Sequence, residues 1–297
     1  MLLAITGAAG FVGRAVVRQL TEQHPQVGLL LADRAVAEID GYETLAGDLT
    51  DPAVIAALTA PRVDAVLHLA ALPGGAAERD PGASRAINLD VPLALIEAMR
   101  CRRLVIAGSI AVFGGVLPDP VDDATVPTPT SVYGTHKRMV ELAFADAVRR
   151  GAVSGFALRL PGIVARPTAA GGFGSAFLSD IFHAALAGTP LCVPVAADAT
   201  SWLMSVRCCA ANLVAAALGE RAAQEALTLP ALRVTMGDLV AELAHHGDVS
   251  GIRFEEVPAT RSTFGSYPEL ATPRADALEF RHDGDLGQLV ETVLDEL

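Results

Sequence analysis

Few features of the 297-residue chain point outside the cytoplasm or toward a metal. Its four cysteines, Cys101, Cys192, Cys208 and Cys209, make no Cys-x-x-Cys and no cluster at metal-ligand spacing. The neighbours Cys208 and Cys209 sit in an apolar helical stretch and read as packing. The histidines are scattered, with His245-His246 at a helix end, so no metal site is expected. No apolar run approaches the roughly 20 residues that a bilayer span requires. The opening "MLLAITGAAGFVG" has no basic n-region and no cleavage signal, so the expected location is the cytoplasm. Positive charge is scarce too: 22 Lys and Arg against 34 Asp and Glu leave a formal charge of −12. Such a field argues against nucleic acid or an anionic membrane as partner. An acidic substrate would have to be met by local positive charge.

What is present is Ala, Val and Leu in alternating elements. Apolar runs at Leu2–Thr6, Val27–Ala32, Val63–Ala70 and Leu104–Gly108 read as buried strands. Amphipathic stretches near 11–22, 52–59, 85–100 and 132–149 read as helices, and a further strand spans 155–164. Strands alternating with helices imply an α/β fold, a doubly wound parallel sheet with right-handed crossovers. Beyond residue 165 the texture changes to a Gly/Ala-rich loop, short strands and turns, and a helix near 206–219 that returns to the sheet. Short strands, helices near 235–245 and 285–296, and a polar loop at 258–275 complete the chain. The expected division is a Rossmann domain over 1–165 plus about 200–222, and a small discontinuous substrate domain over about 166–199 and 223–297.

Directly after the first strand, "ITGAAGFVG" places Gly7, Gly10 and Gly13, with Phe11 and Val12 opening a helix. That arrangement suits a dinucleotide: a tight turn at Gly7, close approach of backbone to pyrophosphate at Gly10, close helix packing at Gly13. Strand before and helix after supply the context that the glycines alone lack. Asp33 ends the second strand, where a carboxylate accepts from the adenosine hydroxyls and repels a 2′-phosphate, favouring NAD over NADP. Arg34 beside it pulls the other way. Asp48 and Leu49 of "GDLTD" could hold an adenine edge, and the small residues of Leu69, Ala70 and Ala71 would let the cofactor lie close. In "SVYGTHKRMVEL", Tyr133 precedes Lys137 by four residues, one helical turn apart on one face. The pair alone does not distinguish chemistry from ordinary helix residues.

"TGAAGFVG", "GDLTD", "HLAA", "INLD" around Asn88, "GSIAVFG" and "YGTHK" occur in order over residues 1–165. Together they resemble the extended short-chain dehydrogenase/reductases, the NAD-dependent epimerase/dehydratase group. The resemblance implies NAD as cofactor, held also by Asn88, Leu160, Tyr133 and Lys137. It puts the catalytic roles on Ser109, Tyr133 and Lys137. A free tyrosine has a pKa near 10. Bringing it to neutrality takes about 4 kcal/mol of phenolate stabilisation, which a lysine ammonium and an oxidised nicotinamide can supply. Tyr133 would then take a proton from a substrate hydroxyl, with Ser109 hydrogen-bonding the reacting oxygen.

The substrate is less marked. Many members of the group act on nucleotide sugars and carry an Asn where this chain has Pro161 and Gly162. "LRLPGIVARP" and "SWLMSVRCCAANLV" look more like the branch containing D-erythronate dehydrogenase, implying oxidation of the 2-hydroxyl of a small sugar acid. Arg166 and Arg207 are candidate carboxylate clamps, Thr168 and Ser175 hydroxyl partners, and Trp202 an apolar wall. Pro73 and Gly74, in "LPGGAAERDPG", belong to a candidate mobile flap or substrate contact. A nucleotide-sugar epimerase, dehydratase or aldehyde reductase, and a non-catalytic dinucleotide sensor, stay open as alternatives. Homodimerisation through cofactor-domain helices, the Tyr133 helix among them, is a further implication of the resemblance.

Overall fold

A computed structural model describes every residue except 37–40, 100–101 and 168–173. Two compact units emerge. The first comprises Met1–Val112, Pro129–Leu160 and Ala210–Thr228. Its strands are β1 (Leu2–Thr6), β2 (Gly28–Asp33), β3 (Glu43–Ala46), β4 (Ala65–His68), β5 (Arg102–Ser109) and β6 (Val153–Leu160), with a short strand Leu227–Thr228 at the edge. The sheet runs Leu227–Thr228, β6, β5, β4, β1, β2, β3, and every pairing is parallel. In register, Ile5 lies between Leu31 and Leu67. Strand β4 is buried throughout, as a parallel strand covered on both faces must be. The strand order reverses between β1 and β4, and open sheets of this kind bind ligands beyond the carboxyl ends at that point. Gly7, Asp33, Leu69, Ser109 and Leu160 all fall at those ends. This is the doubly wound α/β fold expected from the alternation of elements.

Leu58, Val66, Leu95, Leu104, Ile106 and Phe144 form the heart of one core cluster, between sheet and helices. Each such side chain contributes roughly 1.5–3 kcal/mol on burial. The helix Val132–Arg149 is also tied to β6 by an ion pair: Arg159 Nε and Nη2 donate to the two Glu141 oxygens at 2.8 and 2.9 Å. Arg138 adds a second cation at 2.9 Å from Glu141 Oε2. Both Glu141 and Arg159 are buried, so removing Glu141 would leave the Arg159 charge without its carboxylate at a cost of about 3–5 kcal/mol.

The single strand expected over 155–164 is interrupted. Pro161 has no N–H to continue the ladder, and β6 stops at Leu160. The following Gly162–Val164 pairs instead with Thr200–Ser205. That pairing belongs to the second unit, Phe113–Thr128, Pro161–Cys209 and Leu229–Leu297. Thus 200–209 and 113–128, grouped with the Rossmann domain from sequence, cluster with the second unit. Within it, Leu232–Thr235, Thr200–Ser205 and Gly162–Val164 make a three-stranded sheet, and Leu191–Val193 pairs with Ile252–Phe254. Ile181, Phe182, Leu203, Leu239 and Leu289 are among its fully buried apolar residues. The segment 258–275 is not simply a loop: Pro258–Phe264 and Pro273–Ala277 are helical, each started by proline at its first position. Among the described residues no helix is long and apolar enough to cross a membrane.

Candidate active site

The loop after β1 is built by close approach. Gly7 has φ +70°, and a Cβ there would lie 2.7 Å from Ala70 N. A Cβ at Gly13 would lie 2.1 Å from Gly7 O, so the helix Phe11–Gln23 packs backbone to backbone on the loop. Gly10 at the helix N-cap supplies no side-chain oxygen to the first turn and is exposed. Its bare backbone beside the helix N-terminus fits a pyrophosphate. Phe11 and Val12 are half-buried in that first turn. The Asp33 carboxylate accepts from Ala9 N at 3.1 Å and from Arg34 N at 2.7 Å, so it sits against the glycine loop at the end of β2. The structure therefore presents a bare-backbone loop at a helix N-terminus with the Asp33 carboxylate set against it.

The remaining residues assigned to the cofactor differ in exposure and in their partners. Asp48 is exposed and accepts from Thr50 N at 2.9 Å and Thr50 Oγ1 at 2.8 Å, which hold its carboxyl below the usual range. Leu49 is buried in the core. Leu69, Ala70, Ala71 and Leu160 stay partly accessible at strand ends. Asn88 is fully buried, and its amide brackets Leu72: Nδ2 donates to Leu72 O and Oδ1 accepts from Leu72 N, both at 2.9 Å. Its observed work is to fix the chain that leaves β4.

Ser109 ends β5, and its Oγ accepts from Ala111 N at 3.1 Å within the turn Ile110–Val112. Helix Val132–Arg149 abuts that turn. A Cβ at Gly134 would lie 2.0 Å from Ala111 O. This approach ties the Tyr133 segment to the Ser109 segment. Lys137 is buried, donates from Nζ to Ala107 O at 2.8 Å, and places that nitrogen 5.5 Å from the Tyr133 ring centroid. Burial pushes its pKa down to about 8, against the opposing pull of Glu141. Nearby, His68 is held neutral, its pKa lowered to about 3 by burial and then by Lys137. Its Nδ1 pairs with Thr6 Oγ1 at 2.7 Å, and its Nε2 has no partner among the described residues.

Gly134→Ala puts two effects in opposition. Alanine gains helix propensity of about 1 kcal/mol. The methyl, however, meets a backbone carbonyl that cannot rotate away, and overpacking costs roughly 1–3 kcal/mol or more. The clash wins. Thermal unfolding is expected to show a loss of stability, and kcat to fall about 100-fold as the Tyr133 turn is displaced. Wild-type kcat in this variant would remove the turn contact as a determinant of the site.

In the first unit, the stretch read as a mobile flap or substrate contact forms a helix Gly74–Arg79, with Pro73 at its N-cap position, followed by Pro81–Arg85. A Cβ at Gly74 would lie 4.0 Å from the Tyr133 side chain. In the second unit Arg166 and Ser175 do come together. Arg166 Nη2 donates to Ser175 Oγ at 3.3 Å, Arg166 N to Ser179 Oγ at 3.0 Å, and His183 Nε2 bonds Arg166 O at 2.7 Å. Ser179, Asp180 and His183, one helix face, were not singled out from sequence. Asp180 has its pKa raised by burial, opposed by His183 and Arg166. Thr168 lies outside the described residues.

Two substrate assignments need correction. Trp202 is not a wall facing substrate. It is 0% exposed, its indole N–H donates to Pro268 O at 2.7 Å, and it packs against Phe113 and Tyr267. A lone tryptophan is large enough to be the centre of a small core. Arg207 is no carboxylate clamp here, because its guanidinium is committed to Glu296 at 3.0 Å and Asp295 at 3.7 Å.

A family model described as the NAD dependent epimerase/dehydratase family matches residues 3–218. The chain is 33% identical over 321 aligned residues to D-erythronate dehydrogenase of Cupriavidus necator, covering 100% of this chain and 98% of that protein. It is 29% identical to D-erythronate dehydrogenase of Haemophilus influenzae, over 99% of each. The crystal structure of the nucleoside-diphosphate-sugar epimerase from Agrobacterium tumefaciens has a TM-score of 0.91 to it at 30% identity, covering 100% of this chain and 94% of that one. With the glycine cradle, the acid at the end of β2 and the Tyr–Lys pair already in place, these similarities settle the family. The chain belongs to the NAD-dependent epimerase/dehydratase family and is an NAD-dependent dehydrogenase of the extended short-chain dehydrogenase/reductase type.

Proposed function

We propose that the protein oxidises the 2-hydroxyl of a small sugar acid of the D-erythronate kind to the 2-oxo acid, with Tyr133 as general base. The observation that carries this reading is the buried Lys137 ammonium, anchored on Ala107 O and set against the Tyr133 ring. When bound, NAD would be held by residues including Gly7, Gly10, Gly13 and Asp33 and would supply the hydride acceptor. Ser109 hydrogen-bonds the reacting oxygen. Tyr133, as phenolate, receives the hydroxyl proton while the C2 hydrogen leaves as hydride. Lys137 stabilises that phenolate through charge in a site where little water screens it. Arg166, with Ser175 beside it, is suited to the substrate carboxylate, since a guanidinium matches a carboxylate in two parallel bonds. Full-length similarity to two D-erythronate dehydrogenases supports the choice of acid. In this reading the enzyme works in the cytoplasm. It pairs with a second copy through helix Val132–Arg149, whose exposed Met139 and Leu142 suit such a contact.

The name of the Agrobacterium relative favours a second reading, epimerisation of a nucleotide sugar. The two differ in hydride balance: an epimerase returns its hydride and releases no NADH. The test is NADH absorbance with four- to six-carbon aldonic and uronic acids, alongside product analysis with nucleotide sugars. NADH formed with D-erythronate is the expected result. Conversion of a nucleotide sugar with no net NADH, and silence across the acids, would replace the first reading with the second.

A further inference from the structure

Glu78 has no role in the machinery described so far, yet it touches the segment that carries the catalytic tyrosine. It stands on the short helix Gly74–Arg79, in the strap of chain that leaves β4. Its Oε1 accepts from Val132 N at 2.7 Å and from Tyr133 N at 3.4 Å. Helix Val132–Arg149 already has a cap of its own, because Ser131 Oγ accepts from Gly134 N at 3.0 Å. Glu78 therefore takes the N–H groups that Ser131 leaves, and one of them belongs to Tyr133 itself. A carboxylate at a helix N-terminus forms charge-assisted bonds, about twice as strong as neutral ones.

The rest of the strap is fastened along the same helix. A side-chain Cβ at Gly74 would only just reach the Tyr133 side chain, at 4.0 Å. Ser84 Oγ pairs with His136 Nδ1 at 2.9 Å, one turn further on. Asn88 fixes Leu72 at the start of the strap and also donates to Ser84 Oγ at 3.0 Å. Strap and helix are thus joined twice, by Glu78 at the first turn and by Ser84 at His136.

We propose that Glu78 is a positioning residue for Tyr133: it clamps the strap after β4 onto the first turn of the tyrosine's helix and so fixes where the phenol meets its substrate. The proposal rests on the reading of Tyr133 as base. It goes beyond helix stability, because loosening the clamp moves a reacting group, and a misplacement of about 1 Å costs on the order of 100-fold in rate.

The test compares Glu78→Ala, Glu78→Gln and Tyr133→Phe in the full chain with NAD bound. Amide hydrogen exchange needs no substrate. Val132 and Tyr133 are expected to exchange roughly tenfold or more faster in Glu78→Ala, and near the wild-type rate in Glu78→Gln, whose amide oxygen can still accept. Gly134, capped by Ser131, should be unmoved. In NADH formation with D-erythronate, Glu78→Ala should lower kcat about 10- to 100-fold with NAD affinity unchanged, and glutamine should restore most of it. Unchanged exchange at Val132 and Tyr133, wild-type kcat in the alanine variant, or glutamine no better than alanine would each overturn the clamp. Tyr133→Phe separates the two claims. If it is inactive while Glu78→Ala is fully active, the clamp alone fails. If Tyr133→Phe is itself fully active, the reading of the base fails.

Discussion

Tyr133→Phe is expected to slow NADH formation about a thousandfold while NAD affinity and thermal stability stay near wild type. The half-buried ring is retained. Only the hydroxyl is lost, and a typical hydroxyl hydrogen bond contributes about 1 kcal/mol to stability. Its catalytic share is far larger. A positioned general base is worth roughly 10²–10⁴ in rate, and a thousandfold corresponds to about 4 kcal/mol of barrier. Steady-state NADH formation, with NAD affinity measured by calorimetry, separates the two quantities. A rate within tenfold of wild type would transfer the base to another group.

Lys137→Met should move stability and activity in opposite directions. In the cofactor-free protein the lysine is buried with its pKa pushed from the usual value near 10.5 down to about 8. Below pH 8 both folded and unfolded states hold the proton, and burial of the charge costs about 3 kcal/mol at 1.36 kcal/mol per pH unit. Between about pH 8 and 10.5 the unfolded state binds more protons than the native state, so wild-type stability rises with pH across that window. Methionine removes the charge. The variant is expected to be roughly 2–3 kcal/mol more stable than wild type at pH 7, a margin reduced by the unpaired Ala107 carbonyl, and the margin should vanish toward pH 10.5. Saturating NAD should stabilise wild type more than the variant, because a ligand stabilises in proportion to its affinity for the native state. Denaturant unfolding at pH 7 and pH 10, with and without NAD, measures all of this. A variant less stable than wild type at pH 7 without NAD would show that the lysine supports the fold instead of burdening it.

The parts of this protein that were legible in its sequence are local ones. Gly7, Gly10 and Gly13 lie within seven residues, and the close approach of Gly13 to Gly7 O follows from one strand–turn–helix unit, whereas that of Gly7 to Ala70 N also needs the chain leaving β4. Tyr133 and Lys137 share a helix face by spacing alone. The parts that were missed are contacts between distant segments. Glu78 lies in a stretch from which only Pro73 and Gly74 stood out, and nothing local shows that Val132 N lies 2.7 Å from it. Glu141 and Arg159 lie 18 positions apart on a helix and a strand, and only the packing of that helix on the sheet brings them together. Trp202 was misassigned because its partner Pro268 lies 66 positions away. Asn88 shows the intermediate case: its motif was recognised, but its bonds go to Leu72.

The most direct measurement is the pH dependence of kcat/KM for NADH formation in wild type and Lys137→Met. This ratio reports ionisations of the free enzyme. Wild type should rise as Tyr133 ionises and fall above about pH 8 as Lys137 loses its proton. Because the two groups interact, the limbs belong to the pair. In Lys137→Met the acid limb should move to higher pH by about one unit or more, and the alkaline fall should vanish. Superimposable profiles at equal rates would contradict the claim that Lys137 makes Tyr133 a base.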